Sequence, residues 1–308
     1  MSTGAPAPPL RKREVKLTTG LLGSSLNHLA GSLKKQWKRY RKELRRCQDK
    51  FSEKAIHDSR VETRRLLSTV ELLGGFLDAA CVRKVQRALK RHLDTFDDLR
   101  DTQVQLRIVA GMRRDYLGAR PFYDYLLERE RRFAKRTRKS IKEVKTSRLA
   151  ELIAACRAEV EKERRDCAPR QASKLLLRSV NNTFARTKQL RARINPRRTD
   201  TIHRTRVAFK KFRYMVETLA DYLPSANEEL LSAMHHYQTM MGNIQDTEML
   251  LKALDKFVGK KEVEPGPARR FRDELLRRRQ WLIRVYMDAA GQLLEFWPPP
   301  EAAVRRAN

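Results

Sequence analysis

Residues 56–65, Ile-His-Asp-Ser-Arg-Val-Glu-Thr-Arg-Arg, recur in altered form at residues 202–211, Ile-His-Arg-Thr-Arg-Val-Ala-Phe-Lys-Lys. Both segments fit the pattern I-H-x-[ST]-R-V-x-x-[RK]-[RK], and they are 146 residues apart. The same offset pairs Leu73 with Leu219 and extends into the segments that follow. The repetition indicates an internal duplication, in which each half of the chain contributes one copy of the motif.

Each copy predicts an amphipathic helix, since successive residues of a helix are rotated by about 100°. The apolar back carries Leu66 and Val70 in the first copy, and Phe212 and Val216 in the second. The opposite face is cationic and carries six residues: His57, Arg60, Arg64, His203, Arg206 and Lys210. Like charges at i, i+4 destabilise a helix by about 0.2–0.5 kcal/mol per pair. A chain that repeats this arrangement predicts an anionic partner for that face.

The whole chain carries a large positive charge. Its 308 residues include 68 Lys and Arg against 37 Asp and Glu, a net charge of +31 that is spread over the chain. The length suits two ordinary domains or one duplicated domain, and the repeat favours duplication. A charge of this size predicts a polyanionic partner, which is nucleic acid, polyphosphate or an anionic membrane surface.

Several function classes lack support in the sequence. The four cysteines are scattered without C-x-x-C spacing, which argues against a disulfide framework or a zinc ribbon and fits a reducing cytosol. No run of 18 apolar residues is present, so no membrane span is expected. Two histidines in a cationic wall would repel a divalent ion, so neither metal nor cofactor is expected. No P-loop, G-x-G-x-x-G or G-x-S-x-G motif occurs.

Helical periodicity dominates from about residue 23 to 297, which predicts an all-α fold. The predicted helices include a single one over 79–111, one opened by Pro121, and a last long one after a loop over 262–267. The basic segment 1–22 is predicted to be a disordered arm, and 298–308 a short tail. A boundary at Cys167-Ala168-Pro169 separates a first half, about 23–166, from a second, about 170–297.

The paired helices H-x-x-R-V-x-x-R-R and H-x-x-R-V-x-x-K-K-x-R-Y resemble the CHAD family, the conserved histidine α-helical domain. The later segments Leu99–Val104 and Ile244–Met249 carry the same resemblance. It implies two similar four-helix bundles, related by a pseudo-twofold axis around a basic central cavity, over residues 23–297. It also implies non-catalytic binding of inorganic polyphosphate, with phosphate or sulfate as small substitutes, in the cytoplasm at polyphosphate granules.

The resemblance implies a set of polyphosphate-binding residues. On the paired helices these are His57, Arg60, Arg64, Arg65, His203, Arg206, Lys210, Lys211 and Arg213. Further basic helices would add Lys35, Arg39, Lys42, Arg131, Arg138, Arg277 and Arg284. Asp101 and Asp246 are predicted to orient the cations, and both histidines to be neutral at pH 7 because arginines surround them. The halves are unequal, since Leu67 stands where the second half has Arg213.

Two alternatives stay open on the sequence. A nucleic-acid-binding protein would have a similar charge, but base recognition uses aromatic platforms, and Trp37 and Tyr40 lie on an apolar stripe that predicts core positions. A hydrolase or kinase acting on polyphosphate is the other alternative. The acidic E-x-E-x-K motif of fused triphosphatase domains is absent, because Pro265 and Gly266 follow Glu262-Val263-Glu264. Catalysis is therefore not expected.

Overall fold

The computed structural model describes residues 25–223, 226–259 and 265–298, and within these ranges it is entirely helical. The helices are α1 Ser25–Asp49, α2 Glu53–Leu72, α3 Ala79–Asp94, α4 Asp97–Met112, α5 Ala119–Lys142, α6 Ser147–Asp166, α7 Pro169–Ala192, α8 Thr199–Leu219, α9 Glu228–Val258 and α10 Pro265–Ala289. Short 3-10 turns cover Leu73–Gly75, Ala220–Tyr222 and Ala290–Glu295. The predicted all-α class is confirmed. The predicted arm over 1–22 and all but the first residue of the predicted tail lie outside the described residues.

The single helix predicted over 79–111 is wrong, because the chain turns between α3 and α4. Thr95 and Phe96 separate the two helices, and the Phe96 side chain is almost fully buried in the core. Asp97 and Asp98 occupy the first turn of α4, where acidic side chains stabilise the positive end of the helix dipole. The corresponding stretch of the second half remains one continuous helix, α9.

The predicted loop over 262–267 is also wrong in part. Residues 260–264 lie outside the described residues, but α10 already begins at Pro265. Proline is well suited to the first turn of a helix, because its fixed φ matches the helix and its missing N–H would have no partner there. The predicted stop at Pro224 lies outside the described residues, and α8 ends before it, at Leu219.

The buried apolar side chains form two clusters, and neither follows the halves of the sequence. The larger cluster joins side chains of α1, α2, α3, α6, α7 and α8, with Leu99 of α4 and Ile141 of α5, to the first half of α9 and the end of α10. The smaller one packs α4 and α5 of the first half against α9 and α10 of the second. In it, the Phe257 ring lies 5.4 Å from Phe122 and 5.0 Å from Tyr125, between centroids. The halves are thus joined by shared hydrophobic cores.

The two histidine helices, α2 and α8, contact each other, and each packs against the helix that precedes it, α1 or α7. Their predicted apolar backs are buried: Leu66, Val70, Phe212 and Val216 have no exposed surface. The second half closes with Trp297, whose Nε1 donates to Asn181 Oδ1 at 2.6 Å. Burial of both apolar backs fixes the rotation of α2 and α8, and so determines where their cations lie. No helix among the described residues has the length and hydropathy needed to cross a membrane.

Candidate polyanion-binding site

A cluster of cations lies where α2 meets α8. The pKa of Lys210 is lowered from 10.5 to about 6, mainly by burial and then by the positive charges of Arg64, Arg206, Arg60 and Arg213. These five side chains come from both copies of the repeated motif. At pH 7 the Lys210 amine is therefore largely neutral in the unliganded protein, because a further charge in the cluster would be unfavourable.

Arg64, on α2, belongs to the same cluster of cations. Burial lowers the pKa of Arg64 to about 10, with Arg60 and Arg206 lowering it and Tyr214 and Asp97 raising it. A guanidinium normally stays charged under all protein conditions. Its charge is retained at pH 7 here, but with an electrostatic penalty that a bound anion would remove.

Arg60 and Arg206 stand at equivalent positions of the repeat but have different partners. Arg60 is buried, and its Nη1 donates to the Leu93 carbonyl at 3.0 Å and to Asp97 Oδ1 at 2.8 Å. Both acceptors flank the break between α3 and α4. Arg60 therefore stabilises this turn of the chain, and the resulting ion pair offsets part of its charge.

Arg206 faces the continuous helix α9, where no such break exists. A Cβ atom built on Gly242 would lie 3.4 Å from Arg206 Nε, so the guanidinium rests almost on the α9 backbone. Arg206 Nε is buried and has no hydrogen-bond partner among the described residues. Since buried polar groups are nearly always satisfied, an unpartnered donor at this position is unusual.

Loss of the Arg60 interactions is expected to destabilise the fold. Arg60→Met leaves the Leu93 carbonyl and Asp97 without their donor, and we expect the free energy of unfolding to fall by about 1–3 kcal/mol. Urea denaturation followed by circular dichroism measures the change. Arg65→Met is the matched control, because Arg65 is half-buried and its ion pair is with Glu62 of its own helix. Equal losses in both variants would contradict a structural role for Arg60.

The two histidines differ in environment. His203 is half-buried, its Nδ1 has no hydrogen-bond partner among the described residues, and burial followed by the charge of Arg206 lowers its pKa. His57 is exposed, and its pKa is lowered by partial burial and then by Arg100. Both rings are therefore neutral at pH 7, as predicted. Only His203 offers a buried ring nitrogen to a ligand.

A cavity of about 570 Å³ opens beside this cluster. Its lining comprises Arg64, Leu67, Ser68, Glu71, Leu93, Arg186, Leu190, His203, Arg204, Val207, Ala208, Lys210, Lys211 and Tyr214. Four of the predicted residues are among them: Arg64, His203, Lys210 and Lys211. Lys211 Nζ lies 3.1 Å from Glu71 Oε1, so one carboxylate balances part of the lining charge.

Sequence reasoning missed several lining residues, among them Arg186, Arg204 and Tyr214. Arg186 comes from α7, and the 146-residue offset pairs it with Tyr40, so the repeat gives no signal for it. Tyr214 is paired by the same offset with Ser68, which also lines the cavity. The order H-x-x-R-V-x-x-K-K-x-R-Y includes Tyr214, so the motif could have identified it.

The remaining predicted cations do not line this cavity. Arg65 pairs with Glu62, and Arg213 is buried with its guanidinium on Gln238 and Glu217. Lys42 and Arg138 line other grooves, on α1 and α5. The last five are exposed on α1, α5 and α10: Lys35, Arg39, Arg131, Arg277 and Arg284. The structure thus gathers five cations around the contact of α2 and α8, namely Arg60, Arg64, Arg206, Lys210 and Arg213, and leaves Arg65 and the cations of the outer helices apart.

The carboxylates near the cluster have separate roles. Burial raises the pKa of Asp246, against the opposing charges of Arg206, Arg100 and Arg107. Desolvation and then the charge of Asp97 raise the pKa of Asp101. The carboxylate that accepts from Arg60 is Asp97, one turn before the predicted Asp101. Over the described ranges no group of three or more His, Cys, Asp or Glu side chains is arranged to hold a metal ion.

Residues 28–255 match the family profile of the CHAD domain. This chain belongs to the CHAD family. The matched region contains both histidine helices and ends within α9, so α10 of this CHAD protein lies beyond it. PptA from Streptomyces chartreusis has a similar structure, with a TM-score of 0.63 over 88% of this chain and 99% of that chain, at 15% sequence identity. No curated protein matches the sequence.

Proposed function

We propose that this CHAD protein binds inorganic polyphosphate across the contact between α2 and α8, without catalysing a reaction. The observation that carries the proposal is the set of unsatisfied groups there: the buried Arg206 Nε and His203 Nδ1, beside a Lys210 amine whose pKa is about 6. The affinity of the CHAD family for polyphosphate, implied by the motifs, supports the same ligand.

Polyphosphate matches the chemistry of these residues. It carries about one negative charge per phosphate and has no bases, so a site for it needs cations with little further recognition. The Arg64 and Arg186 guanidinium groups can each bind two phosphate oxygens at once, and Lys210 and Lys211 act as mobile point charges. A phosphate near Lys210 would restore its proton and remove the repulsion in the cluster.

We also propose that the two histidine helices are related by a pseudo-twofold axis and contact the same polyphosphate chain. Each half supplies one histidine helix, and a chain passing over the contact would meet Arg64 of the first and Lys210 of the second. A ligand that contacts the cations of both helices must extend over several phosphates. Affinity should therefore rise with chain length until the cavity is spanned, and granule association would follow from binding to long chains.

Salt and chain length provide the direct test. If about five cations contact phosphate, the log–log slope of affinity against salt is expected to be about −3 to −4, taking single-stranded nucleic acid as a guide. Fluorescence anisotropy of end-labelled polyphosphate, measured from about 0.05 to 0.3 M salt, gives this slope. Pyrophosphate serves as the short control, with weaker binding and a shallower slope. Equal affinity for pyrophosphate and long chains would contradict the proposal.

Absence of turnover is tested separately. Long-chain polyphosphate incubated with the protein and Mg²⁺ or Mn²⁺ is expected to release no phosphate above a protein-free control. Release that is lost on Asp246→Asn would instead identify a hydrolase.

Granule association is tested with a fluorescent fusion, which should form foci in cells that accumulate polyphosphate and be diffuse in cells that cannot make it.

A further inference from the structure

A second basic groove, of about 830 Å³, runs along α1. Its lining comprises Lys34, Trp37, Lys38, Arg41, Lys42, Arg45, Arg46, Asp49, Lys50 and Arg157, the last from α6. None of these residues lines the cavity between the histidine helices. The groove is therefore a separate surface, and the polyphosphate proposal leaves it without a role.

The charge of this groove is strongly one-sided. Asp49 is the one carboxylate among its lining residues, and Arg46 is paired with Glu43 and Asp58 at 3.2 and 3.1 Å. Lys34, Lys38, Arg41 and Arg45 follow one another at steps of three or four residues and lie exposed along one face of α1. They form a row about 16 Å long, at 1.5 Å per residue. Such a row suits a linear polyanion.

Trp37 distinguishes this groove from a purely cationic surface. The sequence predicted Trp37 in the core, and the structure places it half-buried, packed against the larger core cluster and also lining the groove. Its ring stacks on the fully buried Tyr40, with centroids 5.4 Å apart and an interplanar angle of 20°. The Arg41 Cζ lies 5.8 Å from the Trp37 centroid. Tyr40 thus holds the indole in place, and the Arg41 guanidinium lies over the same ring, where it can in turn stack on a base.

We propose that this groove binds single-stranded nucleic acid, with phosphates on Lys34, Lys38 and Arg45 and a base stacked against Trp37 and Arg41. An indole adds little to the binding of a chain without bases, whereas stacking on aromatic and guanidinium planes is how proteins hold unpaired nucleotides without reading their sequence. A duplex keeps its bases stacked on each other and would use the cations alone. The protein would then carry two polyanion sites of different selectivity.

The experiment compares two oligonucleotides with the same backbone charge: an oligothymidylate of about 20 residues and an abasic chain of equal length. The wild type is expected to bind oligothymidylate at least fivefold more tightly, because a stacked base contributes that much or more. Trp37→Leu should reduce this affinity at least fivefold, to the level of the abasic chain. Its affinity for polyphosphate should stay within twofold. Equal affinity of the wild type for both chains would overturn the proposal.

Two controls separate stacking from general charge and from unfolding. Trp281→Leu removes an exposed tryptophan of α10, 55% accessible, and should leave both oligonucleotide affinities unchanged. The double variant Lys38→Ala, Arg45→Ala should bind oligothymidylate and the abasic chain more weakly, and by similar factors. If Trp37→Leu fails to fold, Trp281→Phe allows a fluorescence test, since Trp297 is buried and Trp37 then dominates quenching. Quenching by oligothymidylate but not by the abasic chain supports stacking, and equal quenching excludes it.

Discussion

Replacing Arg206 and Lys210 together by alanine is expected to weaken polyphosphate binding at least 100-fold at about 0.15 M salt. Hydrogen bonds to charged groups contribute about 1.5–3 kcal/mol each, so losing two removes about 3–6 kcal/mol. Every 1.4 kcal/mol corresponds to about a tenfold change in affinity. Titration calorimetry with chains of defined length measures the loss.

Arg83→Ala with Arg87→Ala is the matched control. These arginines are also four residues apart on one helix, α3, but both are exposed and neither lines the cavity between the histidine helices. We expect the polyphosphate affinity of this double variant to stay within threefold of that of the wild type. The free energy of unfolding of the Arg206/Lys210 variant should not fall, because mutually repelling cations have been removed. Equal weakening by both pairs would mean that the charge of the protein acts diffusely.

Polyphosphate affinity is expected to fall by up to tenfold per pH unit between about pH 6.5 and 8.5. Lys210 is mostly neutral over this range, since its pKa in the unliganded protein is about 6. A bound phosphate raises this pKa again, so binding takes up a proton whose cost increases with pH. Calorimetry in buffers of different ionisation enthalpy counts the protons directly. Lys210→Arg, which stays charged, should bind with a much flatter pH dependence.

The sign of this effect depends on every charged group that faces Lys210. Arg60 and Arg64 of α2 and Arg206 and Arg213 of α8 all lower its pKa, as does burial. His203 also titrates, but its lowered pKa places its contribution below about pH 6.5. A proton uptake that is unchanged in Lys210→Arg would assign the effect to another group and contradict this account.

The same linkage predicts how stability depends on pH. The unfolded chain keeps a proton on Lys210 up to about pH 10, whereas the native protein loses it near pH 6. The unfolded state therefore binds more protons between these values, and native stability contributed by this site rises with pH across that window. Below pH 6 both states are protonated and the penalty is complete. Lys210→Met should remove the rise, as measured by urea denaturation at pH 6.5 and 8.5.

Local periodicity predicted most helices well. The apolar backs of α2 and α8 follow from side chains spaced three and four residues apart. The same periodicity did not predict the turn between α3 and α4. Apolar residues continue at helical spacing through Phe96 and Leu99, and no Gly or Pro marks the break. What stabilises it is Arg60, 33 residues away from Leu93, through a hydrogen bond that only the folded chain can form.

The repeated motif, likewise, made its two copies look equivalent when they are not. Arg60 and Arg206 occupy the same motif position, but one lies at a helix break with two acceptors and the other against the Gly242 backbone. Trp37 was predicted in the core from its position on α1; it packs against that core, but together with Arg157 of α6 it also lines a groove. In each case the deciding neighbour comes from a different helix.

The all-α class, the cationic faces of two helices 146 residues apart and membership of the CHAD family all follow from the amino-acid sequence. The packing of the helices was needed to show that cations from both motifs meet and that two cores join the halves. It also showed that Arg206 Nε and His203 Nδ1 have no hydrogen-bond partner in the part of the chain that the structure describes. The physical reason is the distance along the sequence over which each effect acts. Helical periodicity acts over three or four residues, whereas burial, pKa shifts and pairing depend on which distant helices packing brings together.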